Sequence, residues 1–164
     1  MTEGVEFSAE DRVWMEHALT LALRAEAEGE VPVGAVVVNE NGLVGEGWNR
    51  NIRLSDPSAH AEIIALREAG RTLRNYRLPG CVLYVTLEPC AMCVNAAIHA
   101  RLDRLVFGAV DPKTGALGGA YSLPEMSEHN HRLVHQGGLL ADQAAELLRA
   151  FFRTRRGSSG NADT

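Results

Sequence analysis

Two short motifs constrain the fold of this chain more than any other feature, because the chemistry of their residues requires them to meet in space. The first motif is His60-Ala61-Glu62, and the second is Pro89-Cys90-Ala91-Met92-Cys93. Cys90 and Cys93 are three residues apart, so in the first turn of a helix their sulfur atoms lie on one face and can share a tetrahedral metal ion. His60 offers a third ligand of a kind that zinc commonly takes. We therefore predict a zinc ion with three protein ligands and an open fourth position that holds water.

A general base is expected beside that water, because two thiolates and a neutral imidazole cancel the charge of Zn²⁺ and leave the ion a weak acid. The breaking cluster Asp56-Pro57-Ser58 precedes the first motif, so His60 and Glu62 are predicted in the first turn of a helix. There they can lie on either side of an ion off the helix end, with His60 bound to it. Glu62 is the predicted proton carrier of a hydrolysis in which zinc-activated water attacks a ring carbon and ammonia leaves.

A C-x-x-C pair by itself is also typical of a redox dithiol or of half a structural zinc site. A closed structural site needs a fourth ligand, and Cys81 is the remaining cysteine of the three. A strand after Cys81 would carry it ~20 Å away at ~3.3 Å per residue, so it is expected to be a buried apolar residue. A redox role leaves His60 and Glu62 without a purpose. The sequence therefore favours a catalytic site with one Zn²⁺ per chain.

The length of 164 residues is sufficient for one domain with a hydrophobic core. We expect a zinc-dependent domain over residues 1–156 and a polar, disordered tail over 157–164. The start of the chain is polar, and no run of about 18 apolar residues is present, which predicts a cytoplasmic protein without membrane association. Two cysteines that must be thiolates agree with a reducing compartment.

The net charge of −5 argues against a protein covered with nucleic acid, but the charge is unevenly distributed. Acidic residues are concentrated in the first helix, and Arg149, Arg153, Arg155 and Arg156 cluster near the C-terminus. This distribution suits an RNA contact confined to one edge. A solvated helix end, whose arginines complement the helix dipole, explains the same cluster equally well.

Periodicity and turn residues predict four helices and five strands. The helices span residues 9–28, 60–73, 89–99 and 139–153, and the strands span residues 33–38, 43–49, 82–86, 104–109 and 133–136. The third and fourth strands enclose the cysteine helix and should be parallel, joined by a right-handed crossover. This arrangement places the second motif at the carboxyl end of a strand, where open α/β sheets commonly bind their ligands.

The H-x-E…P-C-x-x-C pattern resembles that of the zinc-dependent nucleobase deaminases. The order of elements resembles the cytidine deaminase fold, an α/β fold with a three-layer α/β/α arrangement around a five-stranded mixed sheet. Cytidine, deoxycytidylate, guanine, pterin-like and RNA adenine deaminases share this site, so zinc chemistry alone leaves the substrate open.

Finer motifs separate these classes. They are Glu30-Val31-Pro32-Val33-Gly34-Ala35, Gly45-Glu46-Gly47-Trp48-Asn49-Arg50, His60-Ala61-Glu62-Ile63, Leu83-Tyr84-Val85-Thr86-Leu87-Glu88-Pro89-Cys90, Phe107-Gly108-Ala109, Asp111-Pro112-Lys113-Thr114-Gly115 and Phe151-Phe152-Arg153. Together they resemble the bacterial tRNA-specific adenosine deaminases, over nearly all of residues 5–156. The resemblance implies hydrolysis of the wobble adenosine of a tRNA anticodon loop to inosine, by a homodimer that needs no nucleotide cofactor.

The same resemblance implies roles for individual residues around the base. Asn49 would hydrogen-bond the flipped adenine, and Val33 and His60 would help to form the walls of its pocket. An amide suits this task because it both donates and accepts, whereas the ring nitrogens only accept. The alternative role of Asn49 is to stabilise the turn after the second strand.

Five further residues are implied in RNA contacts outside the pocket. Asp111 and Lys113 would contact the nucleotides beside the target, and Phe152 would stack on a base of the splayed anticodon loop. Arg155 and Arg156 would neutralise its phosphates. The alternative place for Phe152 is the core, although it and the neighbouring Phe151 cannot both face inward.

Two departures from the family pattern bear on the partner surfaces. Val94-Asn95-Ala96 replaces the small residues that commonly follow C-x-x-C and alters a predicted dimer contact. The loop over residues 119–128 adds Glu125 and Glu128 near the RNA surface.

Two other functions remain open. One is deamination of free guanine, cytosine or a nucleoside, and the other is a zinc-containing RNA-binding module without catalysis.

Overall fold

The computed structural model describes residues 6–126 and 128–159, and a five-stranded mixed sheet lies at its centre. The helices are α1 (Ala9–Ala27), α2 (Ala61–Leu73), α3 (Ala91–His99) and α4 (Ala141–Ser159). The strands are β1 (Gly34–Asn39), β2 (Gly42–Trp48), β3 (Val82–Leu87), β4 (Arg104–Ala109) and β5 (Val134–Gly137), and a 3-10 turn spans Leu123–Glu125. The predicted α/β class and five-stranded mixed sheet are confirmed.

The order of strands across the sheet is β2-β1-β3-β4-β5. Strand β1 is antiparallel to β2 and β3, whereas β3, β4 and β5 are mutually parallel, as predicted for the crossover through the cysteine helix. Leu87 of β3 pairs with Ala109 of β4, so the carboxyl ends of these strands lie side by side. The chain leaves these two ends towards Cys90 and towards the loop that follows Val110.

Helices cover both faces of the sheet. Small side chains of α2 and α3, including Ala65, Ala69 and Ala97, pack on one face against buried residues of β1, β3 and β4. Met15 and Leu21 of α1 pack on the other face, where α4 joins them through Ala144. The structure therefore has the predicted α/β/α layers.

Helix α2 lies close to β2 because two glycines of that strand have no side chain. A Cβ atom at Gly47 would lie 2.5 Å from the carbonyl oxygen of Ala61, and one at Gly45 would lie 2.4 Å from that of Ala65. Both distances are shorter than any real contact of a Cβ atom, so a larger residue at either position would displace the helix. The two glycines thus allow the first turn of α2 to lie close to the end of β2.

Most predicted boundaries agree with the structure to within one or two residues, but the last helix differs. Gly138 and Leu140 have φ angles of 100° and 52°, so α4 begins at Ala141 and not at residue 139. The helix continues to Ser159, because each residue that extends a helix adds a backbone hydrogen bond, even in a polar sequence. The predicted disorder is therefore wrong for residues 157–159, and residues 160–164 lie outside the described part of the chain.

None of the helices in the described ranges combines the length and the apolarity that a bilayer span requires.

A network centred on Asp11 ties α1 to the sheet. A capping box starts α1, with Ser8 Oγ accepting from the Asp11 N–H and Asp11 Oδ2 accepting from the Ser8 N–H, both at 3.0 Å. The buried Asp11 carboxylate also accepts from Tyr84 Oη at 2.7 Å and from Arg104 Nη1 at 2.8 Å. The Arg104 guanidinium holds the pKa of Asp11 well below its usual range. One carboxylate therefore connects α1, β3 and β4.

Replacing Asp11 with asparagine (Asp11→Asn) should lower the free energy of unfolding by about 3 kcal/mol, because it breaks a mostly buried ion pair and leaves Arg104 uncompensated. Urea unfolding at pH 7 measures the change. Glu10→Gln is the matched control, since Glu10 is exposed in the same helical turn, and its effect should stay within about 0.5 kcal/mol. Equal losses in the two variants would contradict a special role for Asp11.

The contribution of Asp11 to the free energy of unfolding should depend on pH. The pKa of Asp11 is lower in the folded than in the unfolded protein, so its contribution is complete above the unfolded value of about 3.9 and is lost as the pH falls below it. The stability of the unsubstituted protein should therefore fall more steeply below about pH 4 than that of Asp11→Asn. Parallel pH profiles would show that Asp11 does not contribute in this way.

Candidate active site

Two helix N-termini converge where the motifs meet. His60 and Cys90 are the N-cap residues of α2 and α3, with extended backbones at φ −70°, ψ 153° and φ −76°, ψ 174°. Sequence analysis placed both residues inside the first turn and Pro89 at the first helical position, and this detail is wrong by one or two residues. At an N-cap the side chain leaves the helix end sideways, so His60 and Cys90 can point towards each other across the gap between α2 and α3.

The ligand atoms of His60, Cys90 and Cys93 form a compact triad. His60 Nδ1 lies 3.6 Å from Cys90 Sγ and 3.5 Å from Cys93 Sγ, and all three ligand atoms lie within 4.8 Å of one another. Tetrahedral zinc with Zn–S bonds of about 2.3 Å and Zn–N bonds of about 2.0–2.1 Å separates nitrogen and sulfur by about 3.6 Å. The triad therefore fits zinc in both donor type and spacing. Cys81 is buried elsewhere in the core, as predicted.

The two thiols carry charge unequally. A hydrogen bond from Cys93, together with the nearby His60, lowers the pKa of Cys90 to about 4. The same hydrogen bond to Cys90 and burial raise the pKa of Cys93, and the contact with Cys90 raises the pKa of His60. The helix N-termini favour the first thiolate, and a divalent cation supplies the charge that favours the second. The donor set is thus one that a cation stabilises.

Glu62 lies beside the triad without belonging to it. Its side chain is almost fully enclosed, with 4% of the residue exposed. Burial raises the pKa of this carboxyl, and the opposing influence of His60 is smaller. A carboxyl group with a raised pKa is a better proton acceptor than a free one, which suits a general base that later returns the proton as an acid.

A cavity of about 230 Å³ lies directly beside these residues. Val33, Asn49, His60, Glu62, Cys90 and Asp111 are among the residues that line it. Pockets for drug-sized ligands measure about 300–1,000 Å³, so this cavity suits a single flat ring system. Much larger is a cavity of about 780 Å³ between α2 and α3, but none of the triad lines it. We take the smaller cavity as the reaction site because it contains the reactive groups.

Asn49 is buried directly after β2, and its side-chain oxygen has a backbone partner. Its Oδ1 atom accepts a hydrogen bond from the Ala61 N–H at 2.9 Å, which satisfies one donor at the start of α2. Its backbone N–H donates to the carbonyl oxygen of Val33 at 3.2 Å. The side-chain oxygen of Asn49 therefore fixes the start of α2, and the residue also lines the cavity.

Asp111 lines the cavity, but its carboxylate is engaged within its own loop. Oδ1 accepts from the N–H groups of Lys113 and Thr114 at 2.9 and 3.2 Å, and Oδ2 accepts from Thr114 Oγ1 at 2.9 Å. These bonds shape the turn after β4. The structure thus gives Asp111 a local role that sequence analysis did not anticipate, beside its predicted contact with RNA.

The remaining predicted RNA contacts come together in a second concavity. Lys113, Phe152, Arg155 and Arg156 line a groove of about 510 Å³, with Arg149 beside them, which we call the basic groove. Phe152 is 44% exposed whereas Phe151 is 8% exposed, so Phe151 fills the core. Arg155 lies 4.8 Å over the Phe151 ring and donates to the carbonyl oxygen of Gly29 at 2.8 Å. The groove combines positive charge with an exposed aromatic face.

Two buried carboxylates near the site were not predicted. Glu30 accepts hydrogen bonds from the N–H groups of Ile52 and Arg53, both at 3.0 Å, and Glu88 accepts from three N–H groups of the loop after β4. Their partners are distant in sequence, so no local periodicity could indicate them. A charged residue within an apolar strand end, as in Leu87-Glu88-Pro89, was the available signal for Glu88.

Comparison with known proteins identifies a family and individual relatives. Residues 8–109 match the family described as the cytidine and deoxycytidylate deaminase zinc-binding region. The chain is 51% identical over 147 residues to the tRNA-specific adenosine deaminase of Haemophilus influenzae, an alignment that covers 89% of this chain and 85% of that protein.

Two solved structures share the fold. One comes from a study of A-to-I editing by tRNA:A34 deaminases at the wobble position, and it is 41% identical with a TM-score of 0.79, covering 83% of this chain and 99% of the other. The second is a guanine deaminase from Nitrosomonas europaea, which is 29% identical with a TM-score of 0.75 and covers 92% of this chain and 88% of the other.

The unequal thiols generate a prediction for protein stripped of metal with a chelator. At pH 6 a thiol with a pKa of about 4 is roughly 99% thiolate, so iodoacetamide should modify Cys90 before Cys81 and Cys93. The rate at Cys90 should change little between pH 6 and pH 8, because ionisation is already complete. Peptide mass spectrometry follows each site. A rate that rises about tenfold per pH unit would contradict the lowered pKa.

Proposed function

Since the chain belongs to the cytidine and deoxycytidylate deaminase family, and within it to the tRNA-specific adenosine deaminases, we propose that it converts the wobble adenosine of a tRNA anticodon loop to inosine by hydrolysis. One observation carries this proposal: the enclosed carboxyl of Glu62 lines the same small cavity as Asn49 and two members of the zinc-type triad, His60 and Cys90. A cavity for one ring system requires the target base to leave its stack, as enzymes that modify bases commonly arrange.

His60, Cys90 and Cys93 are the proposed ligands of one Zn²⁺ per chain. Bound zinc supplies the acidity that makes water a nucleophile near neutral pH. Glu62 takes one proton from the attacking water and passes it to the ring nitrogen, then takes a second proton from the added hydroxyl and passes it to the departing amino group, so that ammonia is lost. Its burial supports this role, because a raised pKa allows the carboxyl to hold the proton between the two steps.

The rest of the cavity holds and orients the base. Asn49 donates from its amide nitrogen to a ring nitrogen, while its oxygen remains bound to the start of α2. Val33 and the imidazole of His60 form walls on either side. Because Asn49 is bonded to α2 itself, the position of the base is tied to that of Glu62.

The basic groove is the proposed site for the flanking nucleotides. Phe152 offers an exposed ring for stacking, and Lys113, Arg155 and Arg156 supply positive charge for the phosphates. Asp111 contributes by shaping the turn that carries Lys113. A chain with a net charge of −5 can therefore bind RNA at one edge.

A tRNA substrate and three free cysteines both favour the reducing cytoplasm as the place of the reaction.

Incubation with anticodon stem-loops and with free nucleobases tests the proposed function. Inosine should form in a stem-loop that carries adenosine at the wobble position, and free guanine, cytosine and nucleosides should react poorly because they cannot use the basic groove. The alternative, a free-base deaminase, is favoured by the structural likeness to a guanine deaminase. Deamination of small molecules at the rate seen with the stem-loop would select that alternative.

Glu62→Gln should lower kcat by at least about 10²–10⁴-fold, the typical contribution of general acid–base catalysis. Zinc content, measured by atomic emission, should remain one equivalent per chain, and stem-loop affinity should be preserved. Glu68→Gln, an exposed carboxylate on the same helix, is the control and should leave kcat unchanged. Unaltered activity of Glu62→Gln would remove Glu62 from the mechanism, whereas binding of zinc and a stem-loop without any deamination by the unsubstituted protein would favour a binding module without catalysis.

Lys113→Gln and Arg156→Gln should each weaken binding of a stem-loop and reduce the slope of log K against log salt by about 1, because each removes one phosphate contact. Binding is measured by fluorescence anisotropy in the Glu62→Gln background, so that no product forms. Arg12→Gln is the control for general charge effects and should leave the slope unchanged. Arg12 is exposed in the first turn of α1, whereas Arg155 contacts Gly29 beyond the other end of that helix. Unchanged slopes would contradict these phosphate contacts and favour the alternative, in which the C-terminal arginines are solvated and complement the helix dipole.

A second copy of the chain is the proposed occupant of the large cavity between α2 and α3, in keeping with the homodimer implied by the sequence resemblance. The cavity has an apolar floor that includes Ile63, Leu66 and Ala96, and the strongly exposed Tyr76 lies at its rim. Ile63 directly follows Glu62, so a partner there would adjoin the active site. Val94, one of the unusual residues after C-x-x-C, is buried in the core, whereas Ala96 faces this cavity.

Sedimentation equilibrium should therefore give twice the chain mass for the unsubstituted protein. Leu66→Glu should produce monomers, because it buries an unpaired charge at the contact. Leu23→Glu, on an exposed site of α1, should leave the mass unchanged. A monomeric unsubstituted protein at micromolar concentration would contradict the dimer.

A further inference from the structure

Glu88 occupies the end of β3, two residues before the metal-type ligand Cys90. Only 2% of it is exposed. Its Oε1 atom accepts from the Asp111 N–H at 3.0 Å, and its Oε2 atom accepts from the N–H groups of Leu117 and Gly119 at 2.8 and 2.9 Å. A buried carboxylate is costly unless donors surround it, and here three backbone donors of a single loop do so.

The loop over residues 111–119 is thus wrapped around this carboxylate, and we call it the Glu88 loop. The Gly115 N–H donates to the carbonyl oxygen of Asp111 at 3.0 Å, and the Ala116 N–H donates to that of Pro89 at 2.9 Å. The loop is therefore fastened both to Glu88 and to the segment that leads into Cys90. Without these bonds, its buried backbone donors would lack partners.

Two glycines make this approach possible. A Cβ atom at Gly115 would lie 2.3 Å from Glu88 Cδ, and one at Gly119 would lie 2.3 Å from Glu88 Oε1. Neither residue has a left-handed φ, so the requirement is for space and not for backbone freedom. The carboxylate and the glycines therefore form one fitted unit.

The Glu88 loop carries residues to both proposed substrate sites. Asp111 and Thr114 line the cavity that contains Glu62, and Lys113 between them lines the basic groove. A change in the loop's position would move the cavity wall and the phosphate contact together. Glu88 holds this loop and is two residues from the proposed ligand Cys90. The positions of the flanking nucleotides and of the reactive centre therefore depend on the same residue.

We propose that Glu88 is a positioning residue for the RNA substrate: its carboxylate holds the Glu88 loop so that Lys113 and Thr114 meet the nucleotides beside the target base. The proposal rests on the proposed function, since the ligand of the loop is taken to be an anticodon loop. Glu88 also lines the cavity for the base, but both of its carboxylate oxygens are engaged by N–H groups of the loop. Its substitution should therefore weaken substrate binding more than it slows the chemical step.

The first experiment uses the zinc-loaded, full-length protein and the variant Glu88→Gln. The amide of glutamine can still accept from Leu117 and Gly119 but turns a donor towards the Asp111 N–H, so one bond is lost. Loss of one charge-assisted bond corresponds to an increase of about tenfold in KM for a stem-loop, with kcat nearly retained. Hydrogen exchange measured by NMR should become faster at the Asp111 amide, while exchange within β3 and β4 stays unchanged.

Gly115→Ala tests the same unit without altering any charge. Its Cβ atom displaces the loop from Glu88, so exchange at Asp111, Leu117 and Gly119 should all accelerate and KM should rise as in Glu88→Gln. Because the two substitutions break one contact, their effects on KM should combine to less than the product of the single effects. Asp103→Asn is the control, since Asp103 accepts from the Gly80 N–H at the opposite end of the sheet and should leave KM unchanged.

The outcomes distinguish a failure of the role proposed for Glu88 from a failure of the proposed deaminase function. Faster exchange together with a raised KM and a retained kcat supports it. Faster exchange with an unchanged KM overturns it, because the loop would then not position the substrate, and unchanged exchange overturns the anchor itself. If the unsubstituted protein deaminates no stem-loop, the proposed function fails, whereas the exchange data still decide whether Glu88 holds the loop.

Discussion

The structure depends on the convergence of two helix N-termini at one edge of a sheet. The glycines of β2 let α2 approach the strand closely, and the parallel pairing of β3 with β4 aligns the start of α3 beside it. His60 and Cys90 can then face each other because each is an N-cap residue, where the side chain leaves the helix end. Positive helix ends and a compact donor set together favour thiolates and a divalent cation. The catalytic proposal follows from this geometry.

Buried carboxylates serve two different purposes in this fold. Asp11 and Glu88 are surrounded by donors, so their charges are compensated and they connect elements that are far apart in sequence. Glu62 is buried beside the triad, and burial raises its pKa. The same chemical group therefore stabilises structure where donors surround it and can move protons where burial dominates. The environment of each carboxylate, not its residue type, decides its role.

The active-site cavity and the basic groove are joined by the loop after β4. A cavity that admits one base gives little discrimination between RNA and a free base, because both present the same ring. The groove adds contacts that only a longer substrate can make, with the exposed Phe152 and a cluster of cations. The choice of substrate by this protein is therefore expected to depend on the basic groove, outside the reactive centre. It is also expected to depend on the loop after β4, which positions Lys113 in that groove.

The sequence by itself determined the candidate metal ligands, the candidate proton carrier and the α/β order of elements, because residue chemistry at short spacing and hydrophobic periodicity are local properties. It also placed the strands to within one or two residues, and it identified that Phe151 and Phe152 could not both be buried. Only the tertiary structure decided which of the two is exposed, that Asn49 binds the start of α2, and that α4 continues to Ser159. The anchors Glu30 and Glu88 also required it, because their hydrogen-bond partners lie more than twenty residues away along the chain. No local pattern encodes such a contact, since it exists only when the sheet brings distant backbone donors to a single carboxylate.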